Sequence, residues 1–175
     1  MKDGKDWNRK HMSTGPYSIR SANKIKSLSS RQDFDEGQVL SSIPKENLYQ
    51  KPDRFTVQIG THLHTEVAHL SALNHSCDPN LILDTGSMLV IARKNIHAGD
   101  ELTFFYPSTE WEMAAPFICL CGATNCIHVV AGARFLPAAT LEQHYLNQHI
   151  RELMINLLNG TELHLKKLEQ VKVSR

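Results

Sequence analysis

The sequence predicts a single, mainly β domain closed by a C-terminal helix. Three observations carry that expectation. Short apolar runs of strand length, each bounded by turn residues, follow one another from Gln38 to Tyr106. A helical period emerges only after Thr140. The chain has 175 residues, 41% of them hydrophobic, which suffices for one buried core.

The elements can be taken in order. Residues 1–31 carry eight Lys or Arg against only Asp3 and Asp6, with few apolar residues, so residues 1–15 are expected to be a flexible basic segment. Order is expected to start near Pro16 to Ile19. Gln38 to Ile43 reads as a strand after the turn residue Gly37. Arg54 to Ile59 alternates apolar Phe55, Val57 and Ile59 with polar Thr56 and Gln58, the period-2 pattern of a half-buried strand ending at Gly60. Glu66 to Leu73 reads as a short helix. Leu81–Leu83 and Met88–Ala92 flank Asp84-Thr85-Gly86-Ser87 and predict a hairpin. A turn at Ala98-Gly99-Asp100 precedes a strand from Leu102 to Tyr106. Thr140 and Gln143 resemble a capping box, and Leu146, Ile150, Leu153, Met154 and Leu157 recur at helical spacing, giving one apolar face expected to dock on the domain.

Charge and hydropathy narrow the function classes. A net charge of +1 argues against a protein that wraps nucleic acid over its whole surface. No apolar run approaches the ~18 residues of a membrane span, and the polar, basic start lacks the apolar core of a signal peptide. The expected location is intracellular, nucleus or cytoplasm, without secretion and without membrane or direct nucleic-acid partners.

The four cysteines are Cys77, Cys119, Cys121 and Cys126, the last three spaced C-x-C-x4-C. Cys119 and Cys121 are too close to bridge comfortably, so a disulfide network is a poor reading. A tetrahedral zinc site using every cysteine is preferred over free buried thiols. The ten histidines carry little signal; His62 and His64 form an H-x-H, read as solvated or core histidines rather than metal ligands.

Asn74-His75-Ser76-Cys77-Asp78-Pro79-Asn80 is an NHSCxPN motif. It is followed by Gly99-Asp100-Glu101-Leu102-Thr103-Phe104-Phe105-Tyr106, then by Cys119-Leu120-Cys121-Gly122 and Cys126. In this order the three blocks resemble the SET-domain protein-lysine methyltransferases with a post-SET zinc loop, over roughly Gln38 to Gly132. The resemblance implies a β fold of small sheets with a C-terminal pseudoknot that brings NHSCxPN beside ELTFFY. It divides the chain into the segment 1–15, a SET domain at 16–112, a post-SET loop at 113–134, and a C-terminal helix and basic tail at 135–175. It also implies S-adenosylmethionine as cofactor and zinc on Cys77, Cys119, Cys121 and Cys126. The partner it implies is a protein lysine, histone lysine included.

The resemblance assigns Tyr106 as the catalytic residue, against the alternative of a core tyrosine. Asn74 and His75 take the cofactor-contacting positions, the alternative being that they only shape the turn before Pro79. Phe117 and Ile118 are candidates for an apolar wall over the adenine, or are simply buried. Phe104 and Phe105 take the substrate-channel positions; Phe105 stands where the family commonly has an aspartate. A second departure is the missing G-x-G turn, since no two glycines lie two residues apart. Ser18 to Ile25 is expected to fill the place of that first hairpin. These departures keep two further functions open: a SET scaffold turned to a small-molecule substrate, and a non-catalytic binding module.

Overall fold

The computed structural model describes residues 15–22 and 25–173. The expected basic segment 1–15 lies almost wholly outside the described residues. The chain opens as an antiparallel hairpin of β1 (Tyr17–Ala22) and β2 (Ile25–Ser30), in the place expected for the first hairpin. Then follow β3 (Val39–Ser42), β4 (Glu46–Tyr49), β5 (Thr56–Gly60), β6 (Leu63–Glu66), β7 (Asn74–His75), β8 (Leu81–Asp84), β9 (Leu89–Ala92), β10 (Glu101–Phe104), β11 (Phe117–Ile118) and β12 (Val129–Val130). The segment expected as a helix before β7 is a 3₁₀ turn, Ala68–Ala72.

The strands make three sheets, in the orders β1-β2-β10-β8-β9-β3, β4-β6-β5 and β11-β12, with β7 joining the first through β10. Strand β10 is the hub. It pairs antiparallel with β2 through Leu102 and Leu28, and parallel with both β7 and β8. A parallel pair cannot close through a tight turn, so β10 must return from a distance to lie beside the earlier NHSC segment.

Alternation along these strands explains the core. Leu81 and Leu83 on β8, Val90 and Ala92 on β9, and Leu102 and Phe104 on β10 are buried, while their neighbours face outward. The β8–β9 turn is held by the Asp84 carboxylate, which accepts from the Gly86 amide at 2.9 Å and the Ser87 hydroxyl at 2.6 Å.

On β5 the expected alternation fails. Val57 is buried but Phe55 is 55% exposed, and polar Gln58 is buried instead. The reason is a polar bracket. Gln58 donates from Nε2 to the Gly60 carbonyl at 2.9 Å and accepts at Oε1 from the Trp111 amide, while its own amide donates to Glu110 Oε1 at 2.9 Å. A fully satisfied amide is tolerated inside.

The capping-box expectation is also corrected. Thr140 lies inside a one-turn helix, α1 (Ala138–Leu141), and Gln143 donates to the Ala139 carbonyl. The long helix, α2 (Gln148–Val173), starts later. Buried Asn147 precedes it and uses its whole side chain. Oδ1 accepts from the Thr85 amide and hydroxyl, and Nδ2 donates to the carbonyls of Leu83 and Ser108, each at 2.9 Å. Among the described side chains the apolar face docks at its beginning: Leu146 and Ile150 are buried with Leu141 and Phe105, whereas Ile155, Leu157 and Leu158 are exposed.

Candidate active site and metal centre

The site is assembled around β10. Its pairing with β7 sets Thr103 opposite Asn74 and Phe104 opposite His75, and the Ser76 amide donates to the Phe104 carbonyl at 3.1 Å. Asn80, which closes the NHSCxPN motif, locks this register. Its Nδ2 donates to the Glu101 carbonyl at 2.8 Å and its Oδ1 accepts from the Thr103 amide at 2.9 Å, so the side chain acts as one rung of a β ladder. Asn74 donates to the Glu101 carboxylate at 2.8 Å and to the Lys26 carbonyl at 3.2 Å, tying the motif to β2.

After Phe104 the strand ends, and Tyr106-Pro107-Ser108 turns as a 3₁₀ element. The Tyr106 hydroxyl donates to the Leu73 carbonyl at 2.7 Å, immediately before the NHSC segment, and the Tyr106 amide donates to His75 Nδ1 at 3.2 Å. Burial, with the nearby carboxylates of Glu110 and Glu101, pushes the phenol up to about 12. It therefore stays protonated at neutral pH.

The two phenylalanines expected together on a substrate channel part company. Phe104 lies on the Tyr106 side, ring centroids 4.7 Å apart, within the main core. Phe105 turns the other way, as alternation requires, and stacks on His144 at 3.7 Å with the rings nearly parallel. Its burial with Leu141, Leu146 and Ile150 makes it the anchor for the C-terminal helical segment. An aspartate in that apolar setting would lack solvation, which accounts for a phenylalanine here.

Hairpin β11–β12 brings Phe117 to the same place. Its ring lies 6.0 Å from both His75 and Tyr106, edge-on to each, and is 38% exposed. Ile118, one residue on, is 66% exposed. His75, Tyr106 and Phe117 thus form a half-open aromatic corner. Asn74 sits one residue from it and Ile118 stands at its outer edge.

The four cysteines converge. All are free thiols, and their sulfur atoms lie within 4.8 Å of one another, with Cys77 and Cys119 at 3.9 Å. Zinc–thiolate bonds of about 2.3 Å in a tetrahedron place sulfurs about 3.8 Å apart, so the donor set fits the ion. Burial pushes the Cys77 thiol strongly up and Cys119 up to about 11. At Cys121 burial also opposes ionisation, but hydrogen bonds led by the Ala123 amide outweigh it and bring the thiol down to about 6. The loop is held from outside as well: Asn125 donates to the Cys77 carbonyl at 3.0 Å, and the Ile127 amide donates to Cys77 Sγ.

Asn80, Glu101 and Asn125 were not singled out by sequence. Asn80 was within reach, being the last letter of the motif; Glu101 and Asn125 show their use only once β2 and the loop are placed. Outside this site, Glu110 is buried and its carboxyl is pushed up to about 7. His64 is buried, and its Nδ1 has no hydrogen-bond partner among the described residues.

A family model for the SET domain matches residues 6–107. The chain belongs to the SET-domain family. The matched span of this SET domain ends before the cysteine loop, which therefore rests on the geometry alone. Among relatives, the chain is 42% identical over 102 residues to "Methyltransferase flvH" of Aspergillus flavus, covering 57% of this chain and 57% of that protein. It is 38% identical over 81 residues to "Histone-lysine N-methyltransferase, H3 lysine-36 specific" of Chaetomium globosum, covering 39% of this chain and only 9% of that protein. Among solved structures, KRYPTONITE in complex with mCHG DNA and SAH matches with a TM-score of 0.52 at 20% identity, over 66% of this chain and 29% of that one. This likeness bears out the fold of small β sheets. Among the described residues no helix is long and apolar enough to cross a membrane.

Proposed function

We propose that this SET domain transfers a methyl group from S-adenosylmethionine to a lysine of a protein substrate, with zinc held by Cys77, Cys119, Cys121 and Cys126. The observation that carries the reading is the setting of Tyr106. Its single hydroxyl proton is committed to the Leu73 carbonyl, and its ring is clamped by His75, Phe104 and Phe117. What the oxygen has left is acceptor capacity. It can accept from an incoming amine N–H and orient the lone pair, but a phenol raised to about 12 is no general base.

S-adenosylmethionine supplies, when bound, a methyl carried on a cationic sulfonium. The protein has to align the amine and keep it neutral. A lysine amine drawn into the apolar surroundings of Phe104 and Tyr106 loses solvation, which favours its neutral form. The aromatic corner offers π faces suited to a sulfonium and to adenine. Asn74 and His75 are assigned to the cofactor side, with Phe117 and Ile118 as its apolar wall. The zinc, closing the loop at Cys77, would hold Phe117 over the pocket.

Relatives named as histone-lysine methyltransferases support a histone substrate and a nuclear location. The small-molecule alternative draws support from a different observation: the relative covered over more than half its own length is named only as a methyltransferase. A peptide array developed with labelled S-adenosylmethionine tests the reading. Label on lysine-containing peptides, histone tails among them, is the expected result. Cofactor binding without peptide labelling would leave the small-molecule reading, and no cofactor binding at millimolar concentration would leave the binding module.

A further inference from the structure

We propose that the His75 imidazole is a positioning residue that wires the cysteine centre to the catalytic tyrosine, with its single ring proton on Nε2. The inference rests on the zinc reading above and adds to it a residue that touches no metal.

The ring is held at both nitrogens. Nδ1 lies 3.2 Å from the Tyr106 amide nitrogen, and Nε2 lies 3.2 Å from Cys77 Sγ. A backbone amide can only donate, so Nδ1 must present its lone pair. A neutral imidazole has one proton, and with Nδ1 excluded it sits on Nε2, facing the sulfur. The tautomer is thereby set by the peptide group of the catalytic residue. Phe105, Tyr106 and Phe117 surround the ring at centroid distances of 5.6, 5.3 and 6.0 Å, which limits its rotation.

The sulfur end has its own logic. Cys77 Sγ also faces the Ile127 amide at 3.4 Å, so two N–H groups point at one sulfur. A metal-bound thiolate keeps lone pairs that accept such donors, and donors of this kind fix the ligand and favour its ionised form. His75 then acts in two directions. It stabilises Cys77 as a thiolate, and it pins the backbone at Tyr106, 31 positions away in sequence. Loop closure by the metal and placement of the Tyr106 hydroxyl become one event. The NHSC spacing serves this: His75 ends β7, and Cys77, two residues on, lies in the bend that follows, with its sulfur 3.2 Å from the ring.

The test uses the full, zinc-loaded chain. Long-range ¹H–¹⁵N correlation of the histidine rings should show one ring with a protonated Nε2 and a bare Nδ1, assigned to His75 by its disappearance in the variants. A ring protonated on Nδ1, or on both nitrogens, overturns the proposal. Zinc affinity is then measured by chelator competition. His75→Asn keeps an acceptor near Nδ1 but loses the donor to sulfur, and should weaken zinc by about 10–100-fold. His75→Gln places an amide N–H near Nε2 and should restore most of that loss, while leaving the Tyr106 amide without its acceptor. The Tyr106 amide ¹⁵N signal should therefore shift on zinc removal in the wild type but in neither variant, because His75→Asn lacks the link to sulfur and His75→Gln the link to the amide. Equal weakening by Asn and Gln removes the bridge and leaves the metal reading intact. A wild-type chain without zinc affinity removes both.

Discussion

The β8–β9–β10 core and the cysteine loop sit on either side of Tyr106 and are held by different forces. In the core, Leu28, Leu81, Leu83, Val90 and Leu102 are almost completely buried, and apolar burial and backbone ladders hold the strands together. In the loop, the buried cluster is Cys77, Cys119 and Val130, while Ile118, Leu120 and Val129 are half or more exposed. That stretch buries too little apolar surface to offset the entropy of ordering it. On the zinc reading, the four thiolates take over the task that side-chain packing performs next door. The difference teaches where the two failures of this protein should appear: lost packing should unfold the whole domain, whereas lost metal should free only the part that covers the aromatic corner.

Tyr106 lies where both regions meet, and its loss should have the largest effect. Tyr106→Phe keeps the ring contacts and deletes the hydroxyl, so turnover on the identified substrate should fall by roughly 10²–10⁴-fold with little change in Tm. Near-normal turnover would reduce Tyr106 to a core residue. Next comes the metal. Protein purified without added metal should carry about one zinc per chain, as a closed four-thiolate site implies. Chelation should then raise amide exchange at Cys119, Cys126 and Val129 while β8 and β9 stay protected. If the two regions lose protection together, the contrast drawn above is wrong.

Packing variants sharpen the same contrast. Leu83→Ala should cost about 2–5 kcal/mol by urea unfolding, whereas Leu120→Ala, on a side chain 90% exposed, should stay within about 0.5 kcal/mol. Gly132 falls between. Its φ is +116°, and a Cβ there would meet the Trp111 carbonyl and, at 2.8 Å, Glu112 Cα. Gly132→Ala should therefore cost about 1–3 kcal/mol, by backbone strain where the loop returns to the domain.

The smallest effect is on pH dependence. Burial lowers the pKa of His64, His144 and His149, with His149 adding to the effect at His64 and Arg93 at His144; Asp78 at His144 and the Thr109 carbonyl and Glu152 at His149 partly oppose it. The unfolded chain then binds more protons, so their contribution to stability is lost as pH falls below about 6.5. Glu110 has the opposite sign. Its carboxyl is raised to about 7, so its contribution is complete below the unfolded value of 4.5 and is lost as pH rises through 7. Glu110→Gln imitates the protonated form and removes the opposing slope. Compared at fixed zinc, the variant should lose stability more steeply than the wild type between pH 7 and 5; parallel curves would show that Glu110 is ionised inside the fold.

Much of this was legible beforehand because it is local. The Asp84–Ser87 turn, the alternation on β8 to β10, the NHSC segment and the C-x-C-x4-C spacing each depend on neighbours a few residues apart, and each appears where expected. Strand β5 and the helix start were misread because their partners are remote. Nothing near Gln58 announces that Glu110 will accept from its backbone amide and that the Trp111 amide will donate to its side chain, and nothing near Thr140 announces that the long helix waits for Asn147 to bind Thr85 and Leu83.

The sequence by itself determined which chemical groups this SET domain possesses and, on β8, β9 and β10, which face of the strand they occupy, because side-chain direction alternates with residue number. Only the tertiary structure decided what each face meets. It sent Phe104 to the tyrosine and Phe105 to His144, and it brought His75 between Cys77 and the Tyr106 amide. The physical reason is the parallel placement of β10 beside β7: a contact across such a pair is set by the long return of the chain, and no window of neighbouring residues contains both of its ends.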